Sequence, residues 1–314
     1  MILNYSNTKC NKVKSKNEKF KSRRDFVGIF LGSLALASIP RKAKASPSLE
    51  GKDWTVQEVI DLFTATVPGA PFKQTVDTLK AGSGSQKVTG IVTTMFATCD
   101  VITQASKLGA NFIIAHEPTF YNHLDETEWL ANSEVYKYKR ALLQKNNIAV
   151  WRCHDYVHAH QPDGVLAGVL TQLNWEKFAD SANPHLVNMP ATKLGDLVTD
   201  VKKKLGIDRV RMIGDLSQSI QKIAILPGAA GGRTQIGVLQ NAMPDLLIIG
   251  ELSEWETAEY VRDAEFMGTK TALLVLGHAL SEEPGSEWML NWLKPQLPGI
   301  SITHIPSKNP LQFA

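Results

Sequence analysis

The chain has 314 residues, with 34 Lys and Arg against 31 Asp and Glu, which gives a formal net charge of +3. This length suits one large or two medium-sized domains with a substantial hydrophobic core. The positive charge is misleading, because residues 1–45 hold 11 of the basic and 2 of the acidic residues, and residues 46–314 have a net charge of −6. No basic stripe or aromatic cluster follows, so nucleic-acid binding is not expected. Beyond residue 45 only Cys99 and Cys153 remain, too few for a disulfide framework.

The N-terminal segment has the features of an export signal. Residues 22–27 match the twin-arginine pattern, an uncharged run follows at residues 26–40, and Ala43-Lys44-Ala45 is a small-x-small cleavage site. The uncharged run is shorter than the roughly 20 residues that span a bilayer. We therefore expect residues 1–45 to be a removable twin-arginine signal peptide, not a membrane anchor, and the mature protein to be periplasmic or otherwise extracytoplasmic. The alternative is a disordered basic tail before an internal helix.

From Trp54 onward, the hydrophobic pattern alternates between helix-like and strand-like periods. The first half contains predicted helices at residues 55–67, 100–108, 133–144 and 165–173, and predicted strands at residues 88–95, 112–115 and 148–153. The second half contains predicted strands at residues 222–226, 246–249, 271–276 and 300–305, and predicted helices at residues 255–266 and 287–293. Strands that alternate with helices of this length are typical of parallel sheets, and they predict an α/β fold.

Three of the predicted strands end in side chains that bind metal ions. Five of the eight histidines lie between residues 116 and 160, which solvation of the surface alone does not explain. The residues that follow these strands are His116, Glu117 and His123, then His154, His158 and His160, and finally His278 and Glu282. In an open α/β sheet, ligands bind beyond the carboxyl ends of the strands. Imidazole and carboxylate together favour zinc, manganese or iron, so the sequence predicts a divalent-metal site at this edge.

Several local patterns narrow this interpretation. The segment after His116 cannot form the H-E-x-x-H helix of zinc proteases, because position 120 is Phe and Pro118 breaks a helix. His278 and Glu282 are four residues apart, so one helical turn places both on the same face. Taken singly, His154, His160 and His304 are interpreted as hydrogen-bonded or exposed residues. His185 is interpreted as a loop residue.

Two further features stand in the second half of the chain. The Gly-rich segment at residues 227–232 follows a strand, but it lacks the Lys-Ser/Thr of a phosphate-binding loop, so we interpret it as a tight turn. Glu251 follows another buried strand and is a candidate for contacting a metal ligand or the substrate. Cys153 stands beside His154, where it is either a soft metal ligand or, more commonly for cysteine, a buried structural residue.

Three segments together resemble a known family. Residues 112–118, the segment from His154 to His158 and residues 277–282 are similar to the three signature segments of the Nif-three-like dinuclear metal-centre family, and the resemblance extends over residues 54–310. His116, His278 and Glu282 match metal ligands of that family. Glu117 stands where a second histidine is expected and His158 where an aspartate is expected. Because the two replacements exchange one imidazole and one carboxylate, the number of ligands and their total charge are preserved.

The resemblance implies two α/β domains with mixed or parallel sheets and a ring-shaped homohexamer. The first domain would comprise residues 54–175 and 270–314, and the second residues 176–269. We expect two divalent ions, zinc, iron or manganese, bound by His116, Glu117, His158, His278 and Glu282. The expected activity is metal-assisted hydrolysis of a phosphoester, nucleotide or related small molecule, with Glu251 or Asp155 as proton acceptor. The label GTP cyclohydrolase type two, often given to this family, does not settle the reaction. The alternative is a non-enzymatic, metal-stabilised binding or assembly module.

Overall fold

A computed structural model describes residues 51–312, so the expected signal peptide at residues 1–45 lies outside the described residues. The strands are β1 (Leu79–Ala81), β2 (Ile91–Thr94), β3 (Phe112–Ala115), β4 (Ala149–Arg152), β5 (Leu186–Lys193), β6 (Arg211–Ile213), β7 (Ser219–Leu226), β8 (Leu246–Ile249), β9 (Ala272–Val275) and β10 (Ile302–His304). The helices are α1 (Val56–Thr64), α2 (Cys99–Lys107), α3 (Glu134–Lys145), α4 (Asp155–Ala159), α5 (Gly164–Leu173), α6 (Leu194–Leu205), α7 (Gly232–Ala242), α8 (Glu259–Phe266) and α9 (His278–Leu293). Each element predicted from the sequence is present, with shifted ends in most cases.

The strands form two five-stranded sheets, which confirms the α/β fold class. The first sheet has the order β1-β4-β3-β2-β10, and the second has the order β5-β7-β8-β9-β6. The central pairs are parallel, whereas β1, β5 and β6 are antiparallel edge strands. Every other pair is parallel, including that of the edge strand β10 with β2, so both sheets are mixed. The three antiparallel edge strands are partly exposed and lack the continuous apolar run of a buried parallel strand, so the sequence pattern did not reveal them.

Each sheet is covered on both faces. Along β3, Phe112 and Ile114 pack into one hydrophobic cluster, and Ile113 and Ala115 pack into another on the opposite face. This alternation is the two-residue period of a strand, and both halves of it are apolar because neither face meets water. No helix among residues 51–312 is long and apolar enough to cross a membrane.

The chain returns from the second sheet to the first after β9. The sequence interpretation assigned residues 270–314 to the first domain, but β9 pairs in parallel with β8 and antiparallel with β6, so it belongs to the second sheet. Helix α9 and strand β10 make the return, because α9 packs on α5, β2 and β10. The hydrophobic pattern of β9 was visible in the sequence, but its partner strands were not.

Helix α9 is longer than predicted. It begins at His278, whereas the sequence predicted a helix from residue 287, and it contains Pro284. The helix passes through the proline in close contact with α5, where a Cβ at Gly168 would overlap the carbonyl of Pro284. The early start matters for the site, because it places His278 and Glu282 in the first turns of a helix.

Candidate metal centre

The first group of polar side chains follows β3. The parallel ladder continues one step beyond the strand, because the amides of His116 and Glu117 donate to the carbonyls of Thr94 and Met95 at 3.1 and 2.9 Å. Pro118 then ends the pairing, since it has no amide hydrogen. His116 and Glu117 are 6% and 7% exposed. The sheet therefore fixes both side chains at its carboxyl edge.

The second group follows β4, on the short helix α4. The buried carboxylate of Asp77 accepts hydrogen bonds from the backbone amides of His154, Asp155 and Tyr156 at 2.8, 3.0 and 2.7 Å. These amides would otherwise lack partners at the start of the helix, so Asp77 holds the first turn in place. His154 precedes α4 and His158 lies four residues later, which places both imidazoles on the same side of the turn.

The third group lies at the start of α9. Gly277 has a φ of 91°, which favours glycine, and His278 begins the helix directly after it. Glu282 follows one turn later, as predicted, and its Oε2 lies 3.0 Å from His278 Nε2. The Gly-rich turn packs against this carboxylate, because a Cβ at Gly228 would overlap it. The turn at residues 227–232 is thus a close-packed wall of the site.

These segments bring together six side chains of the types that can bind metal ions. His278 Nε2 is 3.0 Å from Glu117 Oε1, and His116 Nε2 is 3.5 Å from Glu282 Oε2. Two groups of three residues each offer ligand atoms that all lie within 4.8 Å of one another; they are His116, His154 and His158, and His116, Glu117 and Glu282. Spacing of this kind permits a common ion in each group.

Four histidines of the cluster are each oriented by a hydrogen-bonding partner at Nδ1. The Nδ1 partners are the Cys153 carbonyl at 3.2 Å for His116, Asp155 at 3.0 Å for His154, Asp163 at 3.0 Å for His158 and Glu251 at 2.7 Å for His278. Metal-binding histidines almost always have their second ring nitrogen hydrogen-bonded to a carboxylate or carbonyl. His116 Nε2 is buried and has no hydrogen-bond partner. The residues present therefore fit a divalent ion.

The protonation of the cluster follows from its carboxylates. Burial lowers the pKa of His278, but the hydrogen bonds to Glu117 and Glu282 outweigh this effect and raise the pKa to about 11. Burial opposes the charge of Glu282, yet its contacts with His116 and His278 hold the pKa well below the usual range. Burial and the nearby charge of His116 lower the pKa of His154 to about 4. His154 is therefore a neutral imidazole at neutral pH, the form that binds metal ions.

The buried guanidinium of Arg152 contacts the cluster from the protein interior. Its side chain is fully buried at the end of β4, and Nε donates to the His116 carbonyl at 3.3 Å while Nη2 lies 3.4 Å from Glu117 Oε2. Nη1 donates to the carbonyl of His123. The guanidinium thus compensates the Glu117 charge and fixes the loop at both ends. One Glu117 oxygen faces Arg152, and the other faces His278.

A cavity of about 1060 Å³ opens beside the cluster. Its walls include Glu117, His154, His158, His278 and Glu282 from the cluster. Apolar and cationic side chains complete it, among them Phe96, Tyr121 and Lys139. This volume accommodates a small-molecule ligand, which would contact the metal-binding side chains directly.

Some of the site residues predicted from the sequence lie in the cluster, and others lie outside it. The structure brings His116, Glu117, His158, His278 and Glu282 together in one cluster, and Glu251 lines the cavity and contacts His278. Asp155 reaches the cluster only through His154, because its second oxygen accepts from Thr75 Oγ1 and the Val76 amide. His123 lines the cavity, whereas His160, His185 and His304 each hydrogen-bond a backbone carbonyl. Cys153 is buried, and its carbonyl, not its thiol, contacts His116.

Three contributors were missed or undervalued from sequence. His154 bonds Asp155, as the sequence predicts, but it also belongs to the group with His116 and His158 whose ring nitrogens lie close enough to hold one ion. Its position directly after a strand, like that of His116, was the available signal. Asp163 and Arg152 contact the cluster through His158 and Glu117, and nothing in their local sequence indicates these contacts.

Comparison with known proteins gives a consistent family. Residues 54–310 match the family model described as Duf34/NIF3 (NGG1p interacting factor 3). Two curated relatives share the name GTP cyclohydrolase 1 type 2 homolog. The one from Clostridium perfringens is 24% identical over 233 residues, covering 66% of this chain and 78% of the relative. The one from Lactococcus lactis is 28% identical over 183 residues, covering 55% of this chain and 68% of the relative.

Solved structures share the fold. The hypothetical protein SA1388 of Staphylococcus aureus has a TM-score of 0.68 at 19% identity, with 84% of this chain and all of that chain covered. The protein ybgI, described as of unknown function, has a TM-score of 0.67 at 20% identity, with 82% and 100% covered. A Bacillus cereus protein related to NIF3 has a TM-score of 0.65 at 17% identity, with 84% and 100% covered.

Proposed function

Because this chain belongs to the Duf34/NIF3 family, whose model matches residues 54–310, we propose that it binds two neighbouring divalent metal ions and uses them for hydrolysis. The substrate class is a phosphoester, nucleotide or related small molecule that enters the cavity. The observation that carries the proposal is the orientation of the cluster: four histidines have Nδ1 bonded to a carboxylate or carbonyl, and the buried Nε2 of His116 has no hydrogen-bond partner.

Two positions for ions are distinguished by their side chains. One lies at the carboxylate-rich end, where Glu117, Glu282 and His278 meet. The other lies at the imidazole-rich end, formed by His116, His154 and His158. A single imidazole nitrogen binds one ion, so His116 serves only one position. Glu282 lies between the ends, with Oε2 3.0 Å from His278 Nε2 and 3.5 Å from His116 Nε2, so its carboxylate would help to hold an ion at either position.

When bound, the ions would supply Lewis acidity for substrate oxygens and lower the pKa of a coordinated water. The chain supplies the rest. Glu251 orients His278 through a 2.7 Å hydrogen bond, and its exposed side chain lines the cavity, where it can also accept a proton from water. Asp155 orients His154 at 3.0 Å and does not line the cavity, so Glu251 is the better proton acceptor.

The proposal is tested by metal content and turnover measured on the same samples. We expect about two divalent ions in each parent chain, and strong loss of metal in His278→Ala and Glu282→Ala. Glu117→His should keep both ions, because imidazole replaces carboxylate as a ligand. His185→Ala is the matched control, since this histidine bonds the Ile225 carbonyl outside the cluster. A parent protein that binds no divalent ion would contradict the proposal.

A second candidate is a metal-stabilised binding or assembly module. It is favoured by the origin of the ligands, which follow β3 and β4 of the first sheet and β9 of the second, so bound ions would join the two sheets. Chelation distinguishes the two functions. Loss of oligomer mass or partner binding, without metal-dependent turnover of phosphoesters and nucleotides, would favour the module. Metal-dependent turnover would favour the hydrolase.

A further inference from the structure

One lysine of α3 is placed unlike its neighbours. Lys139 and Leu143 are the buried residues of this helix, and Lys139 is only 4% exposed. Lys137, two residues earlier, is exposed and forms a 2.8 Å ion pair with Glu134. Lysine is almost never fully buried unless its charge is paired. The burial of Lys139 therefore calls for a partner.

The observed contacts of Lys139 satisfy only part of the hydrogen-bonding capacity and charge of its ammonium group. Its Nζ donates to the Thr119 carbonyl at 2.6 Å, and the rings of Tyr121 and Phe120 lie 5.1 and 5.9 Å away. An ammonium group has three donors, and this one uses a single donor. Among residues 51–312, no carboxylate oxygen lies within 4.0 Å of its Nζ, although other lysines and arginines in this part of the chain make nine such contacts. A buried cation with two free donors is costly unless a ligand completes it.

The free donors lie beside the metal centre. Lys139 lines the same cavity of about 1060 Å³ as Glu117, His278 and Glu282. Thr119, which Lys139 contacts, is two residues after Glu117, so the Cα atoms of Thr119 and Glu117 are at most about 7 Å apart. One small molecule in this cavity can therefore reach both the ammonium group and the metal-binding side chains.

We propose that Lys139 binds an oxyanion, a carboxylate or phosphate group, on the small molecule whose other end contacts the metal centre. This inference rests on the proposed function and narrows its substrates to anionic molecules. A purely structural role, tying α3 to the loop after β3, accounts for the bond to Thr119. It does not account for the charge, because a neutral donor would make the same bond without the cost of burying an ammonium group.

The test uses inorganic phosphate and acetate as probes, titrated by calorimetry into the metal-loaded full-length protein. Charge-assisted hydrogen bonds contribute enough that Lys139→Met should weaken binding of the preferred anion at least about tenfold. Lys139→Arg, which retains the charge, should retain binding. Lys137→Met is the matched control on the same helix and should bind as the parent does. The stronger of the two probes identifies the oxyanion.

Equal binding by Lys139→Met and the parent would overturn the inference, as would a parent that binds neither probe. A second measurement needs no variant. Reductive methylation of the parent, followed by peptide mass spectrometry, should show Lys139 protected by the bound anion and Lys137 unprotected; lack of protection would also overturn the inference. Metal content is measured on every sample. If the parent contains no metal but its anion binding depends on Lys139, the proposed function is refuted and the inference stands. If the parent contains metal but its anion binding does not depend on Lys139, the inference is refuted and the proposed function stands.

Discussion

Glu251→Gln is the substitution that best separates metal binding from folding. Glu251 Oε1 accepts from His278 Nδ1 at 2.7 Å, so it fixes the imidazole with Nε2 toward Glu117 and Glu282. Glutamine retains an acceptor oxygen but removes the charge that polarises the ring. Loss of such a supporting partner typically costs 10–100-fold in metal affinity.

The structure favours a loss of metal affinity at the lower end of the 10–100-fold range. The Glu251 side chain is 56% exposed, so water and salt screen its charge. We therefore expect a loss of about tenfold, equivalent to about 1.4 kcal/mol of binding free energy. Glu251→Ala, which also removes the acceptor, should lose more. The thermal unfolding of the metal-free protein should change little, because no core contact is lost.

The assay is competition for zinc against a chromogenic chelator at fixed pH and salt. Glu265→Gln provides the control, because Glu265 is an exposed glutamate of α8 that does not line the cavity. Cobalt substitution adds a spectroscopic signature, since reorientation of one imidazole changes the absorption of the bound ion. If Glu251→Gln and the parent bind zinc with equal affinity, the orientation of His278 does not depend on this carboxylate and the reasoning fails.

Three further outcomes are expected. Gly228→Ala should lose metal affinity in the folded protein, because φ is +65° and the added Cβ overlaps the Glu282 carboxylate; unchanged zinc binding in the chelator assay would refute the packing argument. Arg23→Lys combined with Arg24→Lys should retain the protein in the cytoplasm, and normal export in a cell-fractionation experiment would refute the twin-arginine assignment. Burial lowers the pKa of Lys139 to about 8, so the group is charged below this pH and loses its charge above it. Phosphate affinity should therefore fall up to about tenfold from pH 7 to pH 9 relative to Lys139→Arg, and parallel titration curves would contradict this. The groups that face Lys139 are Cys99 of α2, Asp125 and Tyr121.

The sequence revealed the parts of the site that depend on local pattern. β3 and β8 were predicted with correct ends, because each is a continuous apolar run bounded by polar residues or glycine. His278 and Glu282 were placed on one helical face from their spacing alone, and α9 confirms this. The pairing of β9 and the antiparallel edges could not be predicted, since they depend on contacts between segments far apart in the chain. Arg152 shows the same limit, because its partners His116 and Glu117 lie more than 30 residues away.

The origin of the ligands explains why metal binding and stability are difficult to separate by changing the ligands themselves. His116, Glu117, His154 and His158 extend from the first sheet, whereas His278 follows β9 of the second. Any ion held between these groups stabilises the folded state by mass action, by about 2.7 kcal/mol when the metal concentration is 100 times its Kd. A ligand substitution therefore removes chemistry and a link between the sheets at once. Lys139 and Glu251 are the informative positions, because each borders the cavity without being one of the proposed ligands that would link the two sheets.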